Sequence, residues 1–219
     1  MNRLTYPSQK VTYVLIALVA VCMAAGAGFL LSMDDPVQQK QLISDSGLVQ
    51  MIGQTSIALA FFLCLFFAVT DTKRRSSYLP LSYLLMFYTL READYHYKVS
   101  EYAKATQFKR FYSHEMIPLS TKLFMAAIVL LFLVVLYRYL MQEKEGFLLA
   151  LKKRLPWAVF SLAWACVFVL SQLIDQLPIF HHTVEGPLFE EIFESSAEVI
   201  ALIAVVLFRI QVHGEARAA

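Results

Sequence analysis

An all-α polytopic membrane bundle of six transmembrane helices, with an interfacial segment between the third and fourth, is the fold class this sequence predicts. Three observations predict it. Of the 219 residues, 58% are hydrophobic and 16% charged, a balance far too apolar for an ordinary soluble domain. The apolar residues are gathered into stretches of about 20, the length a helix needs to cross a hydrocarbon layer ~30 Å thick. No Gly/Ser-rich or Pro-rich linker, internal repeat or low-complexity tract interrupts them, so residues 1–219 are expected to form a single bundle. A net charge of +2 gives no sign of a nucleic-acid partner, because basic residues in such a chain mainly report topology.

Each span has its own justification. The first, 11–31, runs through "AAGAG" into "FLL" and is followed by further hydrophobic sequence, which argues for an uncleaved helix over a signal peptide. The second, 48–70, is apolar throughout apart from Gln50, Gln54 and small hydroxyl residues. The third, 77–97, begins apolar and ends in the charged run "LREADYHYK". Residues 99–117 set Tyr102, Phe108, Phe111 and Tyr112 among Lys104, Lys109 and Arg110, the mixture of an interfacial helix with an aromatic belt. That segment is a candidate gate for lipid entry, with basic groups that could meet a phosphate. The fourth and fifth spans, 119–140 and 157–177, are long apolar runs, and the sixth, 188–209, follows the short loop "IFHHTVEGP". Cys22, Cys64 and Cys166 lie within spans without a CxxC pair and read as packing residues.

Charge orients the bundle. With a cytoplasmic N-terminus, Lys73–Arg75 and Lys152–Arg154 both fall inside, as the positive-inside rule asks, and both termini are cytoplasmic. All of the 17 acids except Asp71, Glu143, Glu145 and Glu215 then fall in outer segments or the outer halves of helices. A bacterial inner membrane is the expected location.

Several of these acids lie inside the spans. The apolar tract of span six, Val199–Phe208, accounts for only ~15 Å at 1.5 Å per residue, so the span must draw Glu198 and Glu194 below the outer surface. Counted the same way, Glu92 and His96 of span three, Gln54 of span two, Lys122 of span four, and Gln172 and Asp175 of span five reach a similar level, roughly 22–29 Å from the cytoplasmic side. At about 100° per residue Glu191, Glu194 and Glu198 share one stripe, with Ser195 at its edge, and Glu92 and His96 share another. Arg91, Asp94 and Lys98 point away, as a headgroup ion-pair belt would.

Carboxylates crowded into a medium of low dielectric constant either hold protons or bind a cation. Glu92, His96, Glu191 and Glu194 are therefore the candidate metal ligands, with His181 and His182 held over the opening by their short loop. Asp175 is placed to complete or orient the set. Glu198, the deepest, is the candidate for moving a proton. A divalent ion is expected, zinc first, with iron or manganese also suited to carboxylate and imidazole donors. No zincin, nucleophile-elbow, P-loop or dinucleotide motif is present.

In gross architecture this pattern resembles the small membrane hydrolases of the alkaline-ceramidase type, whose helical bundles hold zinc near one membrane surface. The resemblance implies a histidine-rich ligand set with a serine and an aspartate. Here only His96, His181 and His182 could supply imidazole near the pocket, two of them from a loop.

The leading expectation is a metal-assisted intramembrane enzyme that hydrolyses a lipid or lipid-linked substrate at the outer leaflet. The alternatives are a proton-coupled transporter component and a noncatalytic sensor or assembly subunit. Membrane lipids are the expected partners, with a second copy of the chain or another membrane protein as further candidates.

Overall fold

The computed structural model describes residues 9–44, 47–93, 95–102, 108–176 and 185–218. Among them the chain is helical, with no strand: α1 (Gln9–Leu31), α2 (Pro36–Ile43), α3 (Leu48–Thr70), a 3-10 turn (Thr72–Arg74), α4 (Arg75–Glu92), α5 (Tyr95–Ser100), α6 (Phe108–Ser113), α7 (Leu119–Lys152), α8 (Pro156–Gln176) and α9 (Glu185–Ala218). Four stretches of the described residues are long and apolar enough to cross a membrane: Thr12–Leu31, Val37–Thr70 (which takes in α2 and α3), Leu119–Lys152 and Pro156–Ile174. Only 6% of the most apolar window of α1 is buried within the protein, and none of that of α7. Helices that are apolar on every side yet covered by so little of their own chain suit a surrounding of lipid.

The expected third and sixth spans fall on α4 and α9, which are not among those four. α4 carries Arg75, Arg91 and Glu92 within 18 residues. It also stops at Glu92, where the Ala93 N–H closes onto the Thr89 carbonyl at 3.0 Å, and α5 begins at Tyr95. Residues 77–97 are therefore not one helix, the backbone leaving helical geometry at Ala93 (φ −81°, ψ 12°). Of residues 99–117, expected as an interfacial segment, the described ones include the end of α5 and the short helix α6. Tyr102 and Tyr112 pack there on the buried Phe111 and Ile117, together with Met125 of α7.

Local chemistry sets the other boundaries. Asp35 caps α2 by accepting from the Val37 N–H at 2.8 Å, and Pro36 occupies the first turn, where an N–H is not needed. α7 runs past the expected end at Leu140 to Lys152, since nothing between the two breaks a helix. It closes with the Leu155 N–H on the Ala150 carbonyl and the Arg154 N–H on that of Leu151, both at 2.9 Å. This is a Schellman closure, with Arg154 in the left-handed region at φ 53° and Pro156 opening α8.

The chain packs as two compact units, residues 1–60 with 146–219 and residues 61–145. In the first, α8 and α9 form the main helix pair around Phe160, Ile200, Ala204 and Leu207, with Trp157 of α8 against Phe208 of α9 at 5.0 Å. Ala158 of α8 and Ala197, Ala201 and Ala204 of α9 are all buried; small residues let membrane helices approach closely. A second cluster joins Leu30 of α1 to Leu188 and Ile192 of α9.

In the second unit Tyr78 is wholly buried and packs on Phe67. Phe87 of α4 stacks on Phe132 of α7 at 4.4 Å. Pro80 lies inside α4 and has no N–H for the Ser76 carbonyl. Gln142 of α7 supplies a donor to that carbonyl at 3.3 Å, and the Ser77 hydroxyl donates to Glu143 at 2.8 Å.

Candidate functional site

The strongest polar constellation in the first unit lies where α9 meets the N-terminal half of α3. Glu198 is 1% exposed and Ser195, one turn before it, is 7% exposed. The Ser195 hydroxyl donates to the Val49 carbonyl at 2.9 Å. Opposite stands Gly53. A Cβ there would overlap the Oε2 of Glu198 and come within 2.9 Å of both the Cα and the Oγ of Ser195. The missing side chain thus makes the space that the carboxyl occupies, and this glycine is required by close approach of helices.

The sequence placed Glu198 deepest on its stripe; within the protein it is the most buried of the three carboxylates. Glu191 and Glu194 are partly buried further up α9, with the buried Ile192 between them. The phasing argument missed the seat itself. That argument sets Ser195 only at the edge of a stripe and does not single out Gly53. A glycine directly before Gln54, in a span otherwise rich in large residues, was the available signal.

The Glu92 and His96 pair fares differently. Glu92 belongs to the second unit, and its side chain is 7% exposed and pairs with Arg91. Arg91 had been assigned to a belt with Asp94 and Lys98. Because α4 ends at Glu92 and His96 belongs to α5, the one-face argument that joined them does not carry across the break. The side chains of His96 and Asp175 and the whole of His181 and His182 lie outside the described residues, as does Asp94. Asp175 nevertheless sits in the last turn of α8, eight residues of link from the start of α9. Among the described residues no three His, Cys, Asp or Glu side chains come together in a group able to hold a metal ion.

Fold and site together define a class: a protein helical throughout its described residues, with several helices long and apolar enough to cross a membrane and a carboxyl group built into its helix packing. Comparison with known proteins goes no further, since no family model, no curated protein and no solved structure matches the chain.

Proposed function

We propose that this chain is a proton-handling component of a membrane, with Glu198 as the proton-binding group and Glu194 and Glu191 as the path toward the outer surface. The observation that supports it is the seat of Glu198, 1% exposed and closed on one side by the backbone at Gly53. A carboxyl in such surroundings is costly as a bare charge, and a proton is the neutralising ligand that needs no added space. A metal ion at ~2.0–2.2 Å would need both room and further donors.

The finer topology belongs to the same proposal. α4 and α9 cross as well, making six spans. The basic turns at Lys73–Arg75 and Lys152–Arg154, together with both termini, face the cytoplasm of a bacterial inner membrane.

Metal-assisted hydrolysis of a lipid or lipid-linked substrate is the second reading. The position of Asp175 at the end of α8 favours it, because the 177–184 link carries His181 and His182 between that residue and the α9 carboxylates. Glu191 and Glu194 would then be ligands.

The test is a pH titration of reconstituted protein by infrared difference spectroscopy, with metal content measured on the same preparations. The wild type should show a protonated-carboxyl band that Glu198→Gln removes. Identical spectra for the two proteins across the titration overturn the proton reading. Stoichiometric metal that Glu194→Gln removes and Glu198→Gln leaves in place would establish the second.

A further inference from the structure

The register of α3 against α9 is fixed at successive points. Val49 packs on the cluster of Leu188 and Ile192, and its carbonyl accepts from the Ser195 hydroxyl at 2.9 Å. Gly53, one turn along α3, lies against Ser195 and the Glu198 carboxyl. The contacts advance together along both chains, so over this stretch the two helices run in the same direction. Each carries a polar pair at a spacing of four, Gln50 and Gln54 on α3 and Glu194 and Glu198 on α9. The register sets Gln54 level with Glu198, and Gln50 level with Glu194.

Gln54 follows Gly53 directly, and consecutive Cα atoms are about 3.8 Å apart. The Oε2 of Glu198 therefore stands within roughly 7 Å of the Gln54 Cα, a span that a glutamine side chain closes with one hydrogen bond. Gln54 is half-buried on the flank of the face that buries Gly53, Ile57 and Ala60, and neither it nor Glu198 is without a partner. Residues 48–60 of α3 contain no ionisable side chain; α1 brings Cys22 to the packing around α9, α8 brings Cys166 and Asp175, and Glu191 and Glu194 lie further up α9 itself. The first basic residue beyond Glu198 on α9 is Arg209. What α3 offers at the level of the buried acid is an amide.

That choice has a chemical consequence. A carboxylate takes only donors, whereas a protonated carboxyl also needs an acceptor for its O–H. Lysine and arginine can only donate, and would hold the acid in its charged form. A primary amide carries both functions and serves either form by turning over. We infer that Gln54 is the positioning residue of the buried acid: its side-chain amide hydrogen-bonds the Glu198 carboxyl, donating to it when ionised and accepting its O–H when protonated. The purpose of this contact rests on the proton-binding reading above, while the contact itself can be tested apart from it.

The experiment uses full-length reconstituted protein in the same infrared titration. Gln54→Met nearly keeps the volume of the side chain and removes both halves of the amide. The protonated-carboxyl band that Glu198→Gln identifies should move to higher frequency in Gln54→Met and stay in place in Gln50→Met. A residue that only packs helices would lower the midpoint of thermal unfolding without moving the band. The unfolding midpoint is also measured for Gln54→Met, Glu198→Gln and the double variant, whose loss should be smaller than the sum of the two single losses, because the second change removes a bond already broken. A Glu198 band at its wild-type frequency in Gln54→Met, or one moved equally by Gln50→Met, overturns the inference and leaves the proton reading standing. Where no band answers to Glu198→Gln, the proton reading falls and the unfolding series decides on the contact, additive losses overturning it. Should Gln54→Met not fold, wild-type protein bearing carbon-13 in its glutamine side-chain amides decides: an amide-carbonyl band should change at the same midpoint as the Glu198 band, and its constancy overturns the inference.

Discussion

α7 and α9 are each 34 residues long, yet they solve opposite problems. α7 presents Leu, Val and Phe around its whole circumference and buries only Ala150. α9 buries a continuous face that mixes Leu188, Ile192, Ala197, Ile200 and Ala204 with Ser195 and Glu198. The difference teaches where specificity resides in a lipid-solvated chain. Apolar surface exposed to hydrocarbon gains nothing from moving onto another apolar helix, so helix association relies on close approach, shape and polar contacts. α9 has all three. The polar contacts of α7 are at Gln142 and Glu143, which meet Ser76 and Ser77.

The glycines of the two regions break this comparison most sharply. Gly53→Leu drives a side chain into the Glu198 carboxyl and the backbone at Ser195, and should destabilise the protein by ~1–3 kcal/mol or more, as overpacking does. Gly146→Ala on α7 meets nothing within 4 Å and should stabilise by ~0.5–1 kcal/mol through helix propensity alone. Thermal unfolding of both variants in one detergent checks the opposite signs. Equal effects would show that the seat at Gly53 is not a tight contact.

A smaller effect is expected where α7 holds α4. Ser77→Ala removes the hydroxyl that donates to Glu143. Hydrogen bonds to charged groups contribute ~1.5–3 kcal/mol when well shielded, and this partly exposed one should contribute about 1 kcal/mol. Ser82→Ala is the control, since the Ser82 hydroxyl bonds only within its own helix, to the Leu79 carbonyl. A loss no greater for Ser77→Ala than for Ser82→Ala would mean that the Ser77–Glu143 hydrogen bond adds nothing to what holds α7 to α4.

These cases also mark how far the sequence could be read. The helical class and the apolar stretches were legible because period and length are local properties. The end of α4 at Glu92 was not legible: no Gly or Pro marks it, and a continuous helix through "LREADYHY" satisfies every local rule. Nor was the role of Gly53, because a glycine in an apolar span has no local meaning until another helix reaches it. Pro80 was visible, but its consequence depends on Gln142, 62 positions later in the sequence, whose amide serves the carbonyl that proline leaves open. What escaped the reading is therefore the pairing of helices, which registers only in contacts between distant residues.

The end of α7 supplies the smallest expected effect and refines the contrast between the two long helices. Arg154 adopts φ 53° at the position after the helix cap where glycine is usual. The left-handed conformation costs an L-residue with a Cβ about 1 kcal/mol, and glycine avoids that cost while losing some unfolded-state advantage. Arg154→Gly should accordingly stabilise by a few tenths to about 1 kcal/mol. The same change removes one of three consecutive basic residues proposed to face the cytoplasm. Stability and topology can therefore be read from one variant: a raised midpoint of unfolding with unchanged sidedness, measured by labelling a cysteine placed at Lys153 in intact cells, is the expected result. A lowered midpoint would mean that the guanidinium makes a contact worth more than the backbone strain, and a change of sidedness would mean that this single charge, rather than the cluster, fixes how α7 and α8 lie across the membrane.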